Sequence, residues 1–276
     1  MNPPVIYHHT GLVTFRSILE SRVIRATHYR DFEDKNELRL GINALLEAVK
    51  RYPVNDTDQE YRDFLIAGIE AFGEGELQVF VASFTGQHDS KYHWDNYPYG
   101  DVPKVAIGFC HERVLKGFGP KVPVCENGQI IRNDPANRYL RCRYEPDIQK
   151  LVAERFFSQD GFPAGFKHPP SWQSFGFPAL SVSIYQTICS IKGDSFKPES
   201  EIRCFNVNPK EERYPSQMMD NGRRYIEMSF DPAEFVKEVW VGGPKDPRHK
   251  CVTVIDEFRE RGLINCTVID STLFPG

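Results

Sequence analysis

The segment Glu199-Ser200-Glu201-Ile202-Arg203-Cys204 carries charged residues at every second position, and Ile202 and Cys204 follow the last two of them. Successive side chains of a β-strand point to opposite faces, so this spacing predicts a strand over residues 199–207 with the three charged side chains on one face. Alternating Glu and Arg is also typical of the solvated face of an antiparallel sheet. Both interpretations stay open at this point.

The rest of the chain alternates between strand-like and helix-like periodicities, which predicts the α+β class. Tyr225–Phe230 is predicted to be the antiparallel neighbour of strand 199–207, and Thr10 to be the N-cap of the first helix. Helix starts are also predicted at a capping box beginning at Thr57 and at Asp231-Pro232 and Asp246-Pro247. The other predicted strands are 5–9, 23–27, 77–84, 105–109, 139–144, 239–241 and 266–269, and the predicted helices are 11–21, 36–50, 147–157, 180–190 and 248–261.

A chain of 276 residues is amply long to bury a core, and we expect one domain over residues 1–276. Three elaborations are predicted on it: a helical insertion at about 36–75, an aromatic loop at 159–179, and a C-terminal β-α-β extension at about 235–276. An aromatic loop of this length is either pinned to the core by its rings or serves as a lid. In the lid reading, Trp172 and Phe175 are the candidate lid or acceptor contacts.

Composition excludes several classes of function. The formal net charge of −4 argues against a broad surface for duplex nucleic acid, although arginines near the N-terminus supply a local basic pocket for a small anion. No apolar run approaches membrane-spanning length and no signal peptide is evident, so we expect a cytoplasmic protein without a membrane partner. The seven cysteines are scattered with no Cys-x-x-Cys pair, which favours buried thiols.

Familiar catalytic motifs are absent from the sequence. It has no Gly-x-Gly-x-x-Gly after a strand, no phosphate-binding Gly-Lys-Ser/Thr loop, no His-Glu-x-x-His and no Gly-x-Ser-x-Gly. The histidine pairs His8/His9 and His88/His93 lack the helical spacing and further ligands of a metal site. No metal cofactor is therefore expected.

Three short elements are candidates for chemistry. They are Tyr7-His8-His9-Thr10 at the end of the first strand, Ser83-Phe84-Thr85 at the end of another, and Glu199-x-Glu201-x-Arg203. Each also has a structural interpretation, because a histidine at a strand end is often a satisfied hydrogen-bond donor. Taken singly, the structural interpretation is favoured for each of them.

Taken together, the elements resemble a bacterial family known as domain of unknown function 2971. The residues that carry the resemblance occur in order over most of the chain: Tyr7-His8-His9-Thr10, Leu12, Ser17-Ile18-Leu19-Glu20-Ser21, Ala26-Thr27, Glu37, Ser83-Phe84-Thr85, Asp89, Trp94, Ile107-Gly108-Phe109 and Phe196-x-x-Glu199-x-Glu201-x-Arg203. The family usually has tyrosine where this chain has His9. Its name discloses no activity.

A looser resemblance, to ADP-ribosyltransferases, implies a fold and a chemistry. That fold has a split mixed or antiparallel β-sheet with flanking helices, and His8, Ser83 and Glu201 match its motif positions in order. The resemblance implies NAD as co-substrate, with Glu201 stabilising the sugar cation and Glu199 acting on the acceptor. NAD would also be held by His8, Thr10, Ser83 and Thr85, and its pyrophosphate by Arg25, Arg30 or Arg203, although Arg203 could equally pair with a glutamate.

The function expected from this resemblance is mono-ADP-ribosyl transfer from NAD to an unknown protein or nucleic acid. Bacterial transferases of this kind commonly act as toxins or in phage defence. The resemblance therefore also implies an antitoxin or inhibitor protein as a further partner. Three alternatives remain: an NAD glycohydrolase with the same residues, a nucleotide-binding or protein-interaction module without catalysis, and a phosphotransferase or nuclease. NAD turnover separates the enzymes from the module.

Overall fold

A computed structural model describes residues 4–32, 35–71, 78–97, 103–117, 121–126, 129–135, 137–144, 147–158, 177–208, 217–218, 222–242 and 245–273. The helices are α1 Leu12–Ser21, α2 Lys35–Arg51, α3 Asp56–Glu70, α4 Lys91–Asn96, α5 His111–Gly117, α6 Asp147–Val152, α7 Phe177–Ser190, α8 Pro232–Phe235 and α9 Lys245–Glu260. The strands are β1 Val5–Gly11, β2 Val23–His28, β3 Gln78–Thr85, β4 Lys104–Cys110, β5 Lys121–Glu126, β6 Gln129–Pro135, β7 Asn137–Arg141, β8 Glu201–Asn208, β9 Gln217–Met218, β10 Arg224–Ser229, β11 Val236–Gly242 and β12 Thr267–Asp270. None of the helices in these ranges is long and apolar enough to cross a membrane.

Ten of the described strands form one mixed sheet, and β5 and β6 pair separately as a hairpin. The order along the sheet is β12-β11-β4-β1-β3-β2-β10-β9, with β8 also paired to β3 and β7 paired to β8. Only β11 and β12 pair in parallel, joined through α9, and the other pairings between named strands are antiparallel. The predicted α+β class with a mixed, mainly antiparallel sheet is confirmed.

The sheet divides at β3. One edge of this strand pairs with β8 along its whole length, from Gln78↔Asn208 to Thr85↔Glu201. The other edge pairs first with β2, at Phe80 and Val81, and then with β1, at Thr85. Because β1 and β2 diverge from each other, residues 82–84 face a gap between them. This is the split sheet that the resemblance to ADP-ribosyltransferases implied.

Two hydrophobic cores cover the two faces of the sheet. On one face Phe80, Ala82 and Phe84 of β3 pack with residues from α1 and α9, including Phe15 and Phe258. On the other face the alternate residues of β3, Val79 and Val81, pack with residues of α2, α3, α6 and α7, including Leu45, Tyr61, Ile148 and Ile184. Because side chains alternate along β3, Ser83 and Thr85 lie on this second face too, and they lie at or next to the split.

The partner of one strand was predicted wrongly. Arg224–Ser229 is a strand, but it pairs with β2, through Tyr225↔Thr27 to Ser229↔Val23, and with β9, and not with β8. The two edges of β8 are occupied by β3 and β7. Alternation fixes the faces of a strand and carries no information about which distant strand lies beside it.

Three predicted helix starts also differ. Thr10 still belongs to β1, opposite Val105, so Gly11 takes the N-cap position of α1. The side chain of Asn55 caps α3 by accepting from the amide of Asp58, which displaces the predicted capping box at Thr57. The helix α9 begins at Lys245, ahead of the predicted Asp246 cap. The start at Asp231-Pro232 is confirmed, since the Asp231 carboxylate accepts from the amide of Ala233.

Candidate functional site

A cavity of about 540 Å³ lies where the sheet splits. Its lining comes from both sides of the gap and from segments that follow the strands. The lining residues are Tyr7, His8 and His9 of β1, Arg25 and Thr27 of β2, Phe32, residues 81–85 of β3, His93, Tyr97, Lys192, Phe196, Glu199, Glu201, Arg203 and Arg223. Segments far apart in sequence therefore meet in one site.

The cavity lies where the residues on one face of β3 and β8 change from apolar to polar. The second face of β3 is apolar at Val79 and Val81 and polar at Ser83 and Thr85, and its partner β8 places Glu201 and Arg203 on that same face with Phe205 in the core. The apolar halves of both strands lie under helices, whereas the polar halves line the cavity. The prediction that Glu201 and Arg203 share a face opposite Ile202 and Cys204 is confirmed.

The Glu201 carboxylate is buried and bound from two directions. Arg203 donates from Nε to Oε1 at 2.9 Å and from Nη2 to Oε2 at 3.1 Å. Lys192 Nζ lies 2.8 Å from Oε2. Burial opposes ionisation, but Arg203 and Lys192 outweigh it and hold the pKa of Glu201 well below its usual range. Glu201 is therefore an anion at neutral pH, and Arg203 pairs with it.

Glu199 reaches the same ammonium from another element. It is the last residue of a 3₁₀ helix, Asp194–Glu199, and Ser200 then adopts a left-handed conformation with φ 46° before β8 begins. Glu199 therefore does not share a strand face with Glu201, as the two-residue spacing had predicted. Its Oε2 lies 2.6 Å from Lys192 Nζ, and its Oε1 accepts from the hydroxyls of Tyr97 at 3.1 Å and Tyr92 at 3.3 Å.

These four side chains are the opposite of a solvated strand face. Glu199, Glu201, Lys192 and Arg203 expose between 2% and 5% of their surface. An isolated buried charge is strongly unfavourable, and the arrangement satisfies each carboxylate with at least one cation. The interpretation of Glu199-x-Glu201-x-Arg203 as an ordinary solvated pattern is therefore wrong.

His8 has a fixed tautomer. Its Nδ1 lies 3.1 Å from the carbonyl oxygen of Ser83, and because a carbonyl only accepts, Nδ1 must carry the proton. Burial lowers the pKa of His8 despite that hydrogen bond. The ring is thus neutral, and Nε2 carries a lone pair that can accept from a hydroxyl group.

A stacked pair of neutral histidines also lines the cavity. His9 and His93 stack with their ring centroids 4.6 Å apart, and the edge of Trp94 contacts His9. Burial, with His93 as a further cause, lowers the pKa of His9 to about 3, and burial also lowers that of His93. His9 Nε2 faces the carbonyl of Gln87 at 3.2 Å. This wall of the site carries no charge at neutral pH.

The three arginines proposed for a pyrophosphate occupy different environments. Arg203 forms an ion pair with Glu201. Arg30 donates from Nε to the hydroxyl of Tyr29 at 2.7 Å and does not line the cavity. Arg25 lines it, is exposed, and stacks on Tyr225 with its guanidinium carbon 4.5 Å from the ring centroid. Among the described contacts, none is a hydrogen bond or ion pair of Arg25. Stacking leaves the in-plane N–H groups of a guanidinium available to an anion.

The hydroxyl residues of the predicted site divide likewise. Ser83 is exposed in the cavity, opposite Arg203 in the sheet register. Thr85 lines the cavity, but its hydroxyl donates to the carbonyl of Glu199 at 2.8 Å and accepts from the amide of Gln87, so it anchors the 3₁₀ helix. Thr10 is buried and does not line the cavity. The proposed ligand contact of Thr10 therefore lacks a structural basis.

Asp89 and Trp94 are tied to the C-terminal segment. The Asp89 carboxylate accepts from Trp94 Nε1 at 2.8 Å and from the amide and hydroxyl of Thr272, both at 2.8 Å. Trp94 is buried and packs against Gly242, where a Cβ atom would lie 2.7 Å from the indole. Both residues hold α4 in place beside the cavity. Trp172 and Phe175, the candidate lid residues, lie outside the described residues, as does most of the aromatic loop 159–179.

Several lining residues were not identified from the sequence, namely Lys192, His93, Tyr97 and Arg223. Lys192 had a detectable signal, because residues 168–191 contain no Asp, Glu, Lys or Arg and Lys192 ends that run. A lysine at the end of an uncharged helical segment is a candidate for burial with a partner. Within the described ranges, no cluster of three or more His, Cys, Asp or Glu side chains could hold a metal ion.

Comparison with known proteins places few constraints on this chain. No family model matches it, so the resemblance to domain of unknown function 2971 has no support from that comparison. No curated protein matches it either. Two similar solved structures are DarT of Thermus sp. 2.9 in complex with ADP-ribosylated ssDNA (12% identity, 99% of this chain and 97% of that chain, TM-score 0.33) and in complex with carba-NAD+ (11% identity, 100% of both chains, TM-score 0.33). A likeness this distant carries no argument about function.

Proposed function

We propose that this protein transfers ADP-ribose from NAD to a macromolecular acceptor. One observation supports the proposal most strongly: His8, Ser83 and Glu201 line a single cavity at the split of the sheet. These residues come from three elements that lie far apart in the sequence. A volume of about 540 Å³ is within the range of small-molecule sites.

The chemistry requires an anion next to the sugar that reacts. Cleavage of the nicotinamide–ribose bond develops positive charge on the ribose, comparable to the transition state of glycoside hydrolysis. A fixed carboxylate stabilises that charge only as it forms, which accelerates the reaction. Glu201 is the candidate, because Arg203 and Lys192 keep it ionised in a buried site.

The charges of the cavity suit a ligand with a pyrophosphate. Its described lining contains four cationic side chains, Arg25, Lys192, Arg203 and Arg223, and two carboxylates, Glu199 and Glu201. The buried lysine and Arg203 are matched by the two glutamates. Arg25 adds positive charge to these matched pairs, and we assign the pyrophosphate to it, with the neutral His8 Nε2 accepting from a ribose hydroxyl.

The role of Glu199 in activating the acceptor stays a proposal with a structural condition attached. Its carboxylate already accepts from Lys192 and from two tyrosine hydroxyls, which leaves about one of its four acceptor positions for a proton from the acceptor. Of the two tyrosines, Tyr97 lines the cavity, so we propose that the acceptor approaches Glu199 from the side of Tyr97. The acceptor in this proposal is a macromolecule, a protein or a nucleic acid.

A second candidate function has its own supporting observation. Every oxygen of Glu201 is within hydrogen-bonding distance of Arg203 or Lys192, which is the arrangement of a structural ion pair as much as that of a reactive group. A module that binds NAD without cleaving it would keep the same cavity. The two functions differ in whether nicotinamide is released.

The test measures binding and turnover in parallel. Calorimetry with NAD and chromatographic detection of released nicotinamide are applied to the wild type, Glu201→Gln and Glu238→Gln. Glu238 is a matched control, since it is a partly buried glutamate that accepts from Tyr7 and Trp240 but does not line the cavity. We expect Glu201→Gln to slow nicotinamide release about 100-fold or more with little change in affinity.

The other outcomes are equally informative. Binding without nicotinamide release in the wild type would establish the binding module. Release that survives Glu201→Gln unchanged would remove the catalytic assignment of this residue. Release that responds equally to both substitutions would point to a general loss of stability.

A further inference from the structure

Lys192 is a buried lysine whose backbone is held by a hydrogen bond to a neighbouring segment. It follows α7, where Ile191 forms a parallel bridge with Arg143 and the amide of Lys192 donates to the carbonyl of Arg143 at 3.0 Å. The chain then turns through the 3₁₀ helix and returns to β8. Lys192 exposes 5% of its surface, and its ammonium lies 4.8 Å from the centre of the Phe196 ring.

The ammonium lies between two carboxylates that belong to different elements. Its Nζ is 2.6 Å from Glu199 Oε2 and 2.8 Å from Glu201 Oε2, so both oxygens are direct partners of one atom. Two buried carboxylates this close would repel each other and one would take up a proton. The bridging charge removes that requirement for both.

The two glutamates depend on Lys192 to different degrees. Glu201 has a second cation in Arg203, whereas the other described partners of Glu199 are the neutral hydroxyls of Tyr92 and Tyr97. Among the residues that the structure describes, the other titratable groups that interact with these carboxylates are His93, Cys142 and Tyr144, and none of them supplies a cation. Glu199 is therefore the carboxylate that loses most if the ammonium is removed.

We propose that Lys192 is a positioning residue, whose ammonium fixes Glu199 and Glu201 side by side as anions in the wall of the cavity. Its effect on catalysis rests on the proposed NAD chemistry, and its electrostatic effect does not. Lys192 acts through the two carboxylates, so its loss should reduce the rate of the chemical step and leave NAD binding nearly intact.

The kinetic test uses Lys192→Met, which keeps the aliphatic stem, and Lys192→Arg, which keeps the charge. With NAD as the probe, we expect Lys192→Met to lower kcat for nicotinamide release about tenfold or more, with KM changed about threefold or less. Lys192→Arg should recover part of the lost kcat. A wild-type kcat in Lys192→Met, or a loss confined to KM, would overturn the positioning role.

The electrostatic test needs no NAD. In Lys192→Met one carboxyl should have a pKa above its value in the unfolded chain, which adds stability at low pH that is lost as the pH rises through the folded-state pKa. The melting temperature should therefore rise by roughly 3 °C from pH 8 to pH 5 relative to the wild type. Lys192→Met/Glu199→Gln and Lys192→Met/Glu201→Gln should both lose that rise, because removing either carboxylate ends the repulsion between them.

These measurements separate the two proposals. A wild type that releases no nicotinamide overturns the proposed function, and the melting comparison still decides whether Lys192 keeps both carboxylates ionised. A Lys192→Met protein whose melting temperature follows pH as the wild type does overturns the inference about Lys192. If Lys192→Met is too unstable to assay, the double variant with Glu199→Gln removes one charge of each sign and carries the kinetic test.

Discussion

The two walls of the cavity respond to burial in opposite ways. The histidine wall, formed by His8, His9 and His93, loses its charge, because burial lowers the pKa of each ring. The carboxylate wall, formed by Glu199, Glu201, Lys192 and Arg203, keeps its charge, because each anion is bound by a cation. Desolvation acts on both, and the partners within hydrogen-bonding distance decide the outcome.

This contrast assigns different tasks to the walls. Neutral imidazoles can accept from hydroxyl groups without attracting counter-ions, which suits recognition of a sugar. A compensated carboxylate holds a fixed charge in a site with little water, which suits stabilisation of a cation that forms briefly. Four experiments test the contrast, in order of decreasing expected effect.

The largest effect is expected from Arg203→Met, which leaves Glu201 with Lys192 as its remaining cation. Breaking a buried ion pair from one side costs about 3 to 5 kcal/mol of unfolding free energy. The matched control is Arg224→Met, which breaks the pair with Asp31, where the two side chains are 33% and 19% exposed, and should cost about 1 kcal/mol. Urea denaturation measures both, and equal losses would show that the carboxylate wall is not held by its buried charges.

The histidine wall should make the protein acid-sensitive in a defined range. The pKa of His9 is about 3 in the folded state, so the unfolded chain binds its proton first as the pH falls below about 6.5. Its contribution to stability is full above that pH and is lost progressively toward pH 3. His9→Asn should remove about 2 kcal/mol of the difference in unfolding free energy between pH 7 and pH 5.

Glu201 loses its stabilising charge only at lower pH, because its folded-state pKa lies below the ordinary value for a glutamate. The contribution of His9 should therefore begin to fall in a first window, between pH 7 and pH 5, whereas the loss from Glu201 begins only at lower pH. Urea titrations at intervals between pH 7 and pH 5 measure the first window. A stability difference that His9→Asn leaves unchanged would mean that His9 is not the source of the acid sensitivity.

A smaller effect, on NAD affinity, is expected from substitution of the arginine assigned to the pyrophosphate. Arg25→Gln should weaken NAD binding about tenfold, as for loss of a charge-assisted hydrogen bond. Arg30→Gln is the control, since Arg30 is a neighbouring arginine outside the cavity lining, and should change the affinity about twofold or less. Calorimetry decides between them, and a larger loss in Arg30→Gln would move the pyrophosphate to the other arginine.

The smallest effect is expected at the neutral wall. His8→Ala removes an acceptor and one hydrogen bond to Ser83, so NAD affinity should fall about fivefold while stability stays within about 1 kcal/mol. Calorimetry gives the first quantity and thermal unfolding the second. A variant that unfolds while the wild type binds no NAD would make His8 a structural residue.

The sequence predicted what depends on local periodicity. It placed most of the strands and the longer helices, and it predicted Glu201 and Arg203 on one face of a strand. Residues 82–84 could not be recognised as the edge of a gap, since that depends on where β1 and β2 lie. The left-handed Ser200, which moves Glu199 off the strand, was hidden because serine has no special preference for that conformation.

The missed residues share another cause. Lys192 and His93 acquire their roles from contacts with Glu199. Glu199 lies 7 positions after Lys192 and belongs to a different element from His93. Short patterns such as His8-x-Thr10 predicted a site and also included Thr10, which the structure places away from the cavity. Motifs identified the strands that reach the cavity, and three-dimensional packing chose which side chains enter it.

The gap in the sheet has a consequence for aggregation. An unpaired strand edge is a template on which a second extended chain can add, and proteins commonly keep such edges short or covered. Here the open edge of β3 spans only residues 82–84, lies inside the molecule between β1 and β2, and has the carbonyl of Ser83 occupied by His8. The protein can thus present strand backbone to a small molecule while denying a neighbouring polypeptide the length it needs to pair.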